Sequence, residues 1–216
     1  MLVLVSGVTP RDIRSHGFHP NLGCLLTPSK PMNRLWPQLP WAIDNGAFAG
    51  FQEQPFLRCL RRAVDHATAP LWVVAPDTVG DHAATGWAWP EWATRIRRRG
   101  LRPAFVAQDG LESMPVDVAV PWRSMAALFI GGSTEFKLGR YAAQLVWFAK
   151  NHCWPPMWVH MGRVNSFKRM QYALEIGCDS VDGTGLCIRR HELGKFLDYA
   201  GSQPCLPGMG DWRTVA

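Results

Sequence analysis

Eight short apolar runs, set apart by segments with helical spacing, constrain this chain more than any other feature. They fall at Leu2–Val5, Gly23–Leu26, Trp41–Asp44, Leu71–Ala75, Pro103–Ala107, Ala127–Ile130, Met157–His160 and Ser180–Asp182. Strands that read as continuous hydrophobic stretches are buried on both faces, the condition of a parallel sheet lying under helices. The segments between them supply those helices. Thr9, Pro10 and Asp12 read as an N-cap, first helical residue and first-turn acid, with Gly17 closing the segment. Phe56, Leu57, Leu60 and Val64 recur at helical spacing between Pro55 and Ala67. Pro90 is expected to start a helix that Gly100 stops, and Tyr141, Leu145 and Phe148 mark another ending before Trp154. Ser166 caps a segment ended by Gly177, and the last helix is expected from Arg189 to Tyr199.

Alternation of this kind builds βα units, and eight of them close into a compact (β/α)8 barrel. An open doubly wound sheet is the competing topology. With 216 residues, closure requires short or non-helical connections at 27–40 and 110–125. Without an internal linker, the chain reads as one α/β domain over residues 1–216.

Composition narrows the function classes. The N-terminal LVLV run is too short for a membrane span or signal segment and lacks a basic start, so a cytoplasmic protein with no membrane partner is expected. Cys24, Cys59, Cys153, Cys178, Cys187 and Cys205 form no C-x-x-C pair, which fits reduced thiols better than disulfides or structural zinc. Only Cys187 and His191 have a ligand-like spacing, too little for a metal site. The net charge of +6 is concentrated in Arg95, Arg97, Arg98, Arg99 and Arg102, and in Arg58, Arg61 and Arg62. Such clusters suit a polyanionic partner, and equally the solvated outer face of barrel helices. GGSTEFKLG lacks the ordered glycines and Lys-Ser/Thr of a P-loop.

Chemistry is expected at the C-terminal mouth, where the strands end in Ser6, Asp44, Asp77, Gln108, Gly131-Gly132, His160-Met161-Gly162 and Asp182. A polar residue at one strand end is commonly a helix cap; on five neighbouring strands it reads as a site. Two carboxylates across a cleft divide labour when their surroundings separate their pKa values. One then stays ionised as a nucleophile, and the other keeps a proton to donate. That pairing suits cleavage at an anomeric carbon. Phe48, in a loop flanked by Gly46 and Gly50, could sandwich a purine together with Met161.

Six segments, in order, carry a resemblance: IDNGAF, VVAPD, FVAQDG, FIGGS, WVHMGRVNS and GCDSVDGTG, spanning residues 43 to 185. The chain resembles the tRNA-guanine transglycosylase superfamily, and is most similar to its short branch, the deazapurine-in-DNA transglycosylases of phages and bacterial islands. The resemblance implies a TIM barrel that exchanges guanine in a polynucleotide for a 7-deazaguanine, such as the 7-cyano form, without breaking the backbone. It implies Asp182 as the nucleophile on C1′ and Asp44 as the acid/base. It implies Asp77, Gln108 and the Gly131-Gly132 backbone as base-recognition groups, with Met161 and Gly162 walling the pocket.

No cofactor is implied, because the sugar–Asp182 ester conserves the bond energy. The expected partners are DNA, single-stranded or with its target base flipped out, the free deazaguanine, and an accessory protein or a second copy of the chain. Lys137, Arg163, Lys168 and Arg169 are candidate phosphate contacts. The tRNA enzymes' C-terminal zinc subdomain has no counterpart among these motifs, and their Asp-Ser-Gly is here Asp44-Asn45-Gly46. Three alternatives stay open: a tRNA-guanine transglycosylase, a nucleic-acid N-glycosidase, and a non-catalytic barrel that binds nucleic acid for a partner enzyme.

Overall fold

In a computed structural model of the chain, residues 1–29, 36–183, 185 and 190–202 are described. Eight strands, β1 (Leu2–Ser6), β2 (Leu22–Leu26), β3 (Trp41–Ile43), β4 (Val73–Val74), β5 (Pro103–Ala107), β6 (Ala127–Ile130), β7 (Trp158–Met161) and β8 (Ser180–Asp182), pair in parallel in chain order. Strand β8 pairs back onto β1, with Leu4 in register with Asp182, so the sheet is a closed barrel. The open-sheet alternative is excluded. Outside lie α1 (Pro10–His16), α2 (Glu53–Val64), α3 (His82–Arg97), α4 (Val116–Ala119), α5 (Thr134–Leu138), α6 (Arg140–Asn151), α7 (Phe167–Glu175) and α8 (Leu193–Ser202). The architecture is a (β/α)8 barrel.

Alternation along each strand splits the core in two. Leu2, Leu4, Leu25, Ala42, Trp72, Val74, Ala104, Val106 and Ala127 fill the barrel interior, joined by Phe129 and Trp158. Their neighbours Val3, Val5, Ile43, Phe105, Leu128, Val159 and Val181 point outward onto helix residues such as Phe56, Leu60, Trp89, Leu145 and Phe196. Gly23 sits at a tight point of the interior: a Cβ there would lie 2.6 Å from Leu4 Cδ2 and 2.8 Å from the Pro40 carbonyl.

Local signals set most helix ends. Thr9 and Asp12 form a reciprocal capping box on α1, and Ser166 caps α7 by accepting from Arg169 N. Helix α3 corrects one expectation: it starts at His82, capped by Asp81, with Pro90 inside it. An interior proline costs ~3 kcal/mol. Burial of Trp89, Trp92 and Ile96 on that helix offsets this, at ~1.5–3 kcal/mol for a large apolar side chain. The connection over 110–125 is short, as barrel closure requires, with one 3-10 turn and the single turn of α4. Residues 30–35 of the other connection, Arg189 and the Cys187 member of the Cys187/His191 pair lie outside the described residues. Among the described residues no helix is long and apolar enough to cross a membrane.

Candidate active site

The inward positions of the strands continue past the barrel core into one pocket at the C-terminal mouth. Ala42 leads to Asp44, Val106 to Gln108, Phe129 to Gly131, His160 to Gly162 and Ser180 to Asp182. Asp44, Asp77, Gln108, Gly131, Gly132, Gly162 and Asp182 all line this pocket, together with Phe48 and Arg163. A larger cavity of about 1030 Å³ involves the start of β7 and the 121–126 and 152–157 loops, at the opposite face. None of Asp44, Asp77 and Asp182 lines it, so its size does not make it the place of the chemistry. In barrels of this kind the reactive groups sit at the C-terminal ends of the strands.

Asn45 ties two of the strand ends together. It is 1 % exposed, and its amide donates to the Ala75 carbonyl at 2.8 Å and to Asp77 Oδ1 at 2.7 Å. Its own oxygen accepts from Ala47 N at 2.7 Å, which shapes the turn carrying Phe48. Gly46 occupies the left-handed region that this turn requires, with φ of 78°.

Burial pushes the Asp44 carboxyl up to about 7, and the nearby negative charge of Asp182 adds to the rise. A bond from Gly46 N opposes it in part. Asp77 is also raised by burial, with the Asn45 bond working against the rise. Asp44 therefore can hold or release a proton near neutral pH, the property of a general acid/base.

Asp182 is held by donors on one oxygen. Its Oδ1 accepts from Arg163 N at 2.8 Å and lies 3.3 Å from His160 Nε2. The second oxygen carries no hydrogen bond among the described residues. Arg163 makes its contact from the left-handed region, with φ of 57°, uncommon for a residue with a side chain. The Arg163 guanidinium donates to the Gly132 carbonyl and lies over the Phe48 ring, 4.5 Å from its centroid. Phe48 is 71 % exposed, so this cation–π pair stands at the open side of the pocket.

Two candidate residues, Met161 and Lys137, are placed differently from the sequence expectation, and a third, Gln108, is in the pocket with its amide already engaged. Met161 is buried in the outer layer against the helices, while its neighbour His160 points into the barrel against Trp72 and Phe129. Period-two alternation makes this necessary once Asp182 and His160 share the interior. Met161 therefore does not wall the pocket. Lys137 is 3 % exposed, with Nζ donating to the Gly162 carbonyl at 3.1 Å, so it is no phosphate contact at the surface. Burial lowers its ammonium to about 8, and the Arg163 charge works in the same direction. Gln108 lines the pocket, but its amide is engaged: it accepts from Gly80 N at 2.8 Å and donates to Thr78 O at 2.8 Å and Thr85 Oγ1 at 2.6 Å. It fixes the loop after Asp77.

The basic residues divide by location. Arg95 bonds Glu53 at 2.6 Å and Glu91 at 3.3 Å, Arg97 donates to the Ser124 carbonyl, and Arg99 donates to Arg95 O at 2.6 Å. Much of that cluster holds the helix ring together. Arg169 reaches Arg163 O at 3.4 Å and Thr134 Oγ1 at 3.2 Å beside the mouth, and Lys168 is exposed on the same helix. Ser180 and Asn45 were not singled out by sequence as site residues, and His160 was named at its strand end without a role. The available signal was the two-residue spacing of His160 on β7 and Gly162 just after it, and of Ser180 and Asp182 on β8.

By sequence the chain matches no protein-family model and no curated protein. By structure it is similar to a tryptophan synthase from M. tuberculosis in its aminoacrylate- and BRD0059-bound form. That match has a TM-score of 0.53 and 14% identity, covering 91% of both chains. It is also similar to a native KDPGal structure, with a TM-score of 0.53 and 13% identity over 93% of this chain and 94% of the other. At such identities the likeness is one of fold, and the class it defines is the (β/α)8 barrel.

Proposed function

We propose that this barrel is a transglycosylase that exchanges guanine in DNA for a 7-deazaguanine through a covalent Asp182–deoxyribose intermediate. The observation that carries the reading is the unlike pair in one pocket. Asp44 has a carboxyl raised to about 7, and Asp182 has one oxygen held by Arg163 N. The unbonded oxygen of Asp182 attacks C1′ as the C1′–N9 bond breaks, and Asp44 gives its proton to the departing guanine. In the second half Asp44 takes the N9 proton of the incoming deazaguanine, whose nitrogen attacks C1′ and releases Asp182. Two inversions keep the β-configuration, and no electrons change hands. The Gly131 N–H is taken by the Ala107 carbonyl and the Gly132 carbonyl by Arg163, which leaves the Gly132 N–H to meet a base edge, and Phe48 with Arg163 offers a face for stacking.

The choice of DNA rests on the resemblance of the motifs to the DNA-modifying branch. Paired bases hide their glycosidic carbons, so the target is flipped out or single-stranded. Arg163, Arg169 and Lys168 flank the mouth where the backbone would pass.

The test is nucleoside mass spectrometry of DNA and tRNA from cells that make the protein and are supplied with 7-deazaguanine precursors. A deazaguanine deoxynucleoside, absent with Asp182→Ala, is the expected result. Modification of tRNA alone would transfer the activity to tRNA. Abasic sites in place of a modified nucleoside would make the protein an N-glycosidase, and an unaltered pool despite DNA binding would favour the non-catalytic barrel.

A further inference from the structure

A line of polar side chains runs up the barrel interior to Asp182. Trp158 Nε1 donates to Ser180 Oγ at 2.9 Å, Ser180 Oγ lies 2.8 Å from His160 Nδ1, and His160 Nε2 lies 3.3 Å from Asp182 Oδ1. Ser180 and His160 are each 0 % exposed. The line has a direction set by its first member, because an indole N–H can only donate. Ser180 Oγ accepts that hydrogen bond and has its own hydroxyl hydrogen to give. Given to Nδ1, it leaves the imidazole proton on Nε2, aimed at Asp182. The opposite tautomer would set the bare Nε2 lone pair against a carboxylate oxygen inside a low-dielectric core, where an unmatched polar contact is costly.

We infer that His160 is a positioning residue for Asp182, holding Oδ1 through Nε2–H with its tautomer fixed by the Trp158–Ser180 pair, so that the other carboxylate oxygen is presented to C1′. The inference rests on the transglycosylase reading for its kinetic consequence, but the hydrogen-bond line has its own readout. Two donors on Oδ1, His160 Nε2 and Arg163 N, restrict rotation of the carboxylate more than either alone. The rings of Trp72 and Phe129, with centroids 4.8 Å and 4.7 Å from the imidazole, fix the plane of His160.

The experiment has two parts. Nitrogen-15 NMR of histidine-labelled protein reads the tautomer directly: Nε2–H with unprotonated Nδ1 is expected, changing in Ser180→Ala, and an Nδ1–H imidazole overturns the inference. Kinetics of guanine exchange then compare His160→Leu and His160→Gln, since the glutamine amide can place an N–H near the Nε2 position. The expected result is a loss in kcat of roughly 10- to 100-fold in His160→Leu with KM for the free base little changed, and partial recovery in His160→Gln. Undiminished kcat in a folded His160→Leu, or a loss that glutamine does not relieve and that follows the fall in melting temperature, overturns it. If the wild-type protein exchanges no base, the transglycosylase reading falls, and the tautomer still decides whether His160 orients Asp182.

Discussion

Arg163 donates its backbone N–H to Asp182 Oδ1 at 2.8 Å while sitting in the left-handed region at φ 57°. Backbone and side chain of this residue therefore do different work. Arg163→Gly keeps the donor and removes the strain, so stability should hold to within ~1 kcal/mol by urea denaturation. Arg163→Val forces a β-branched residue into the same conformation and should lose ~1–3 kcal/mol. Equal stability of the two variants would show that the left-handed conformation is not imposed on this position.

Asp44 gives the protein a pH dependence of definite sign. Its carboxyl is raised from 3.8 to about 7, so across that interval the folded state holds more protons than the unfolded one. Stability should fall as pH rises from about 4 to about 7, by an amount on the order of a few kcal/mol, and then level off. Asp44→Asn should flatten this part of the curve of urea midpoint against pH. In the proposed exchange, guanine release is the half-reaction that needs the protonated acid, and it should slow above pH ~7. A wild-type profile that rises through this interval while the Asn variant stays flat would assign Asp44 the opposite linkage.

Asn45 makes three hydrogen bonds from a position with 1 % exposure. Asn45→Ala leaves the Ala75 carbonyl and Ala47 N–H without that partner and should cost ~2–4 kcal/mol in chemical denaturation. Asn45→Asp replaces the donor to Asp77 with a second carboxylate and should be less stable at pH ~8 than at pH ~5. A pH-independent loss in the Asp variant would mean that the introduced group finds another partner.

Met161 and Gly162 are neighbours with opposite orientations. Met161→Leu is a near-isosteric change in the outer layer and should cost less than ~1.5 kcal/mol with exchange unaffected. A Cβ on Gly162 would lie 2.7 Å from Phe129 Cε1 and 3.5 Å from Asp182 Oδ1. Gly162→Ala should therefore lose most of its exchange activity in a mass-spectrometric assay. Reversal of the two outcomes would put Met161, not Gly162, beside the reacting groups.

Much of the fold was legible because burial on both faces writes a parallel strand as an uninterrupted apolar run. Pro103–Ala107, Ala127–Ile130 and Ser180–Asp182 read the same from sequence and structure. Asp44, Asp77 and Asp182 were legible for the same reason: a carboxylate that ends such a run has left the core. Lys137 was not, because a formal charge says nothing of whether its side chain bends inward to a carbonyl. Met161 was misplaced because the motif was read as a block, whereas facing changes with every residue of a strand. Pro90 was a strong local signal overruled by an upstream cap at Asp81 and by tryptophans that only tertiary packing could value.

Trp158 stands at the floor of the barrel, against the large cavity, and is joined by three hydrogen-bond links to Asp182 at the mouth. Its indole proton is thus a natural spectroscopic probe of the far end. In the proposed transglycosylation, esterification of Asp182 would alter the acceptor that closes the line, and the change would be relayed through His160 and Ser180 to the indole resonance. The proposed chemistry at the top of the barrel would become observable from its underside, without a label on the substrate.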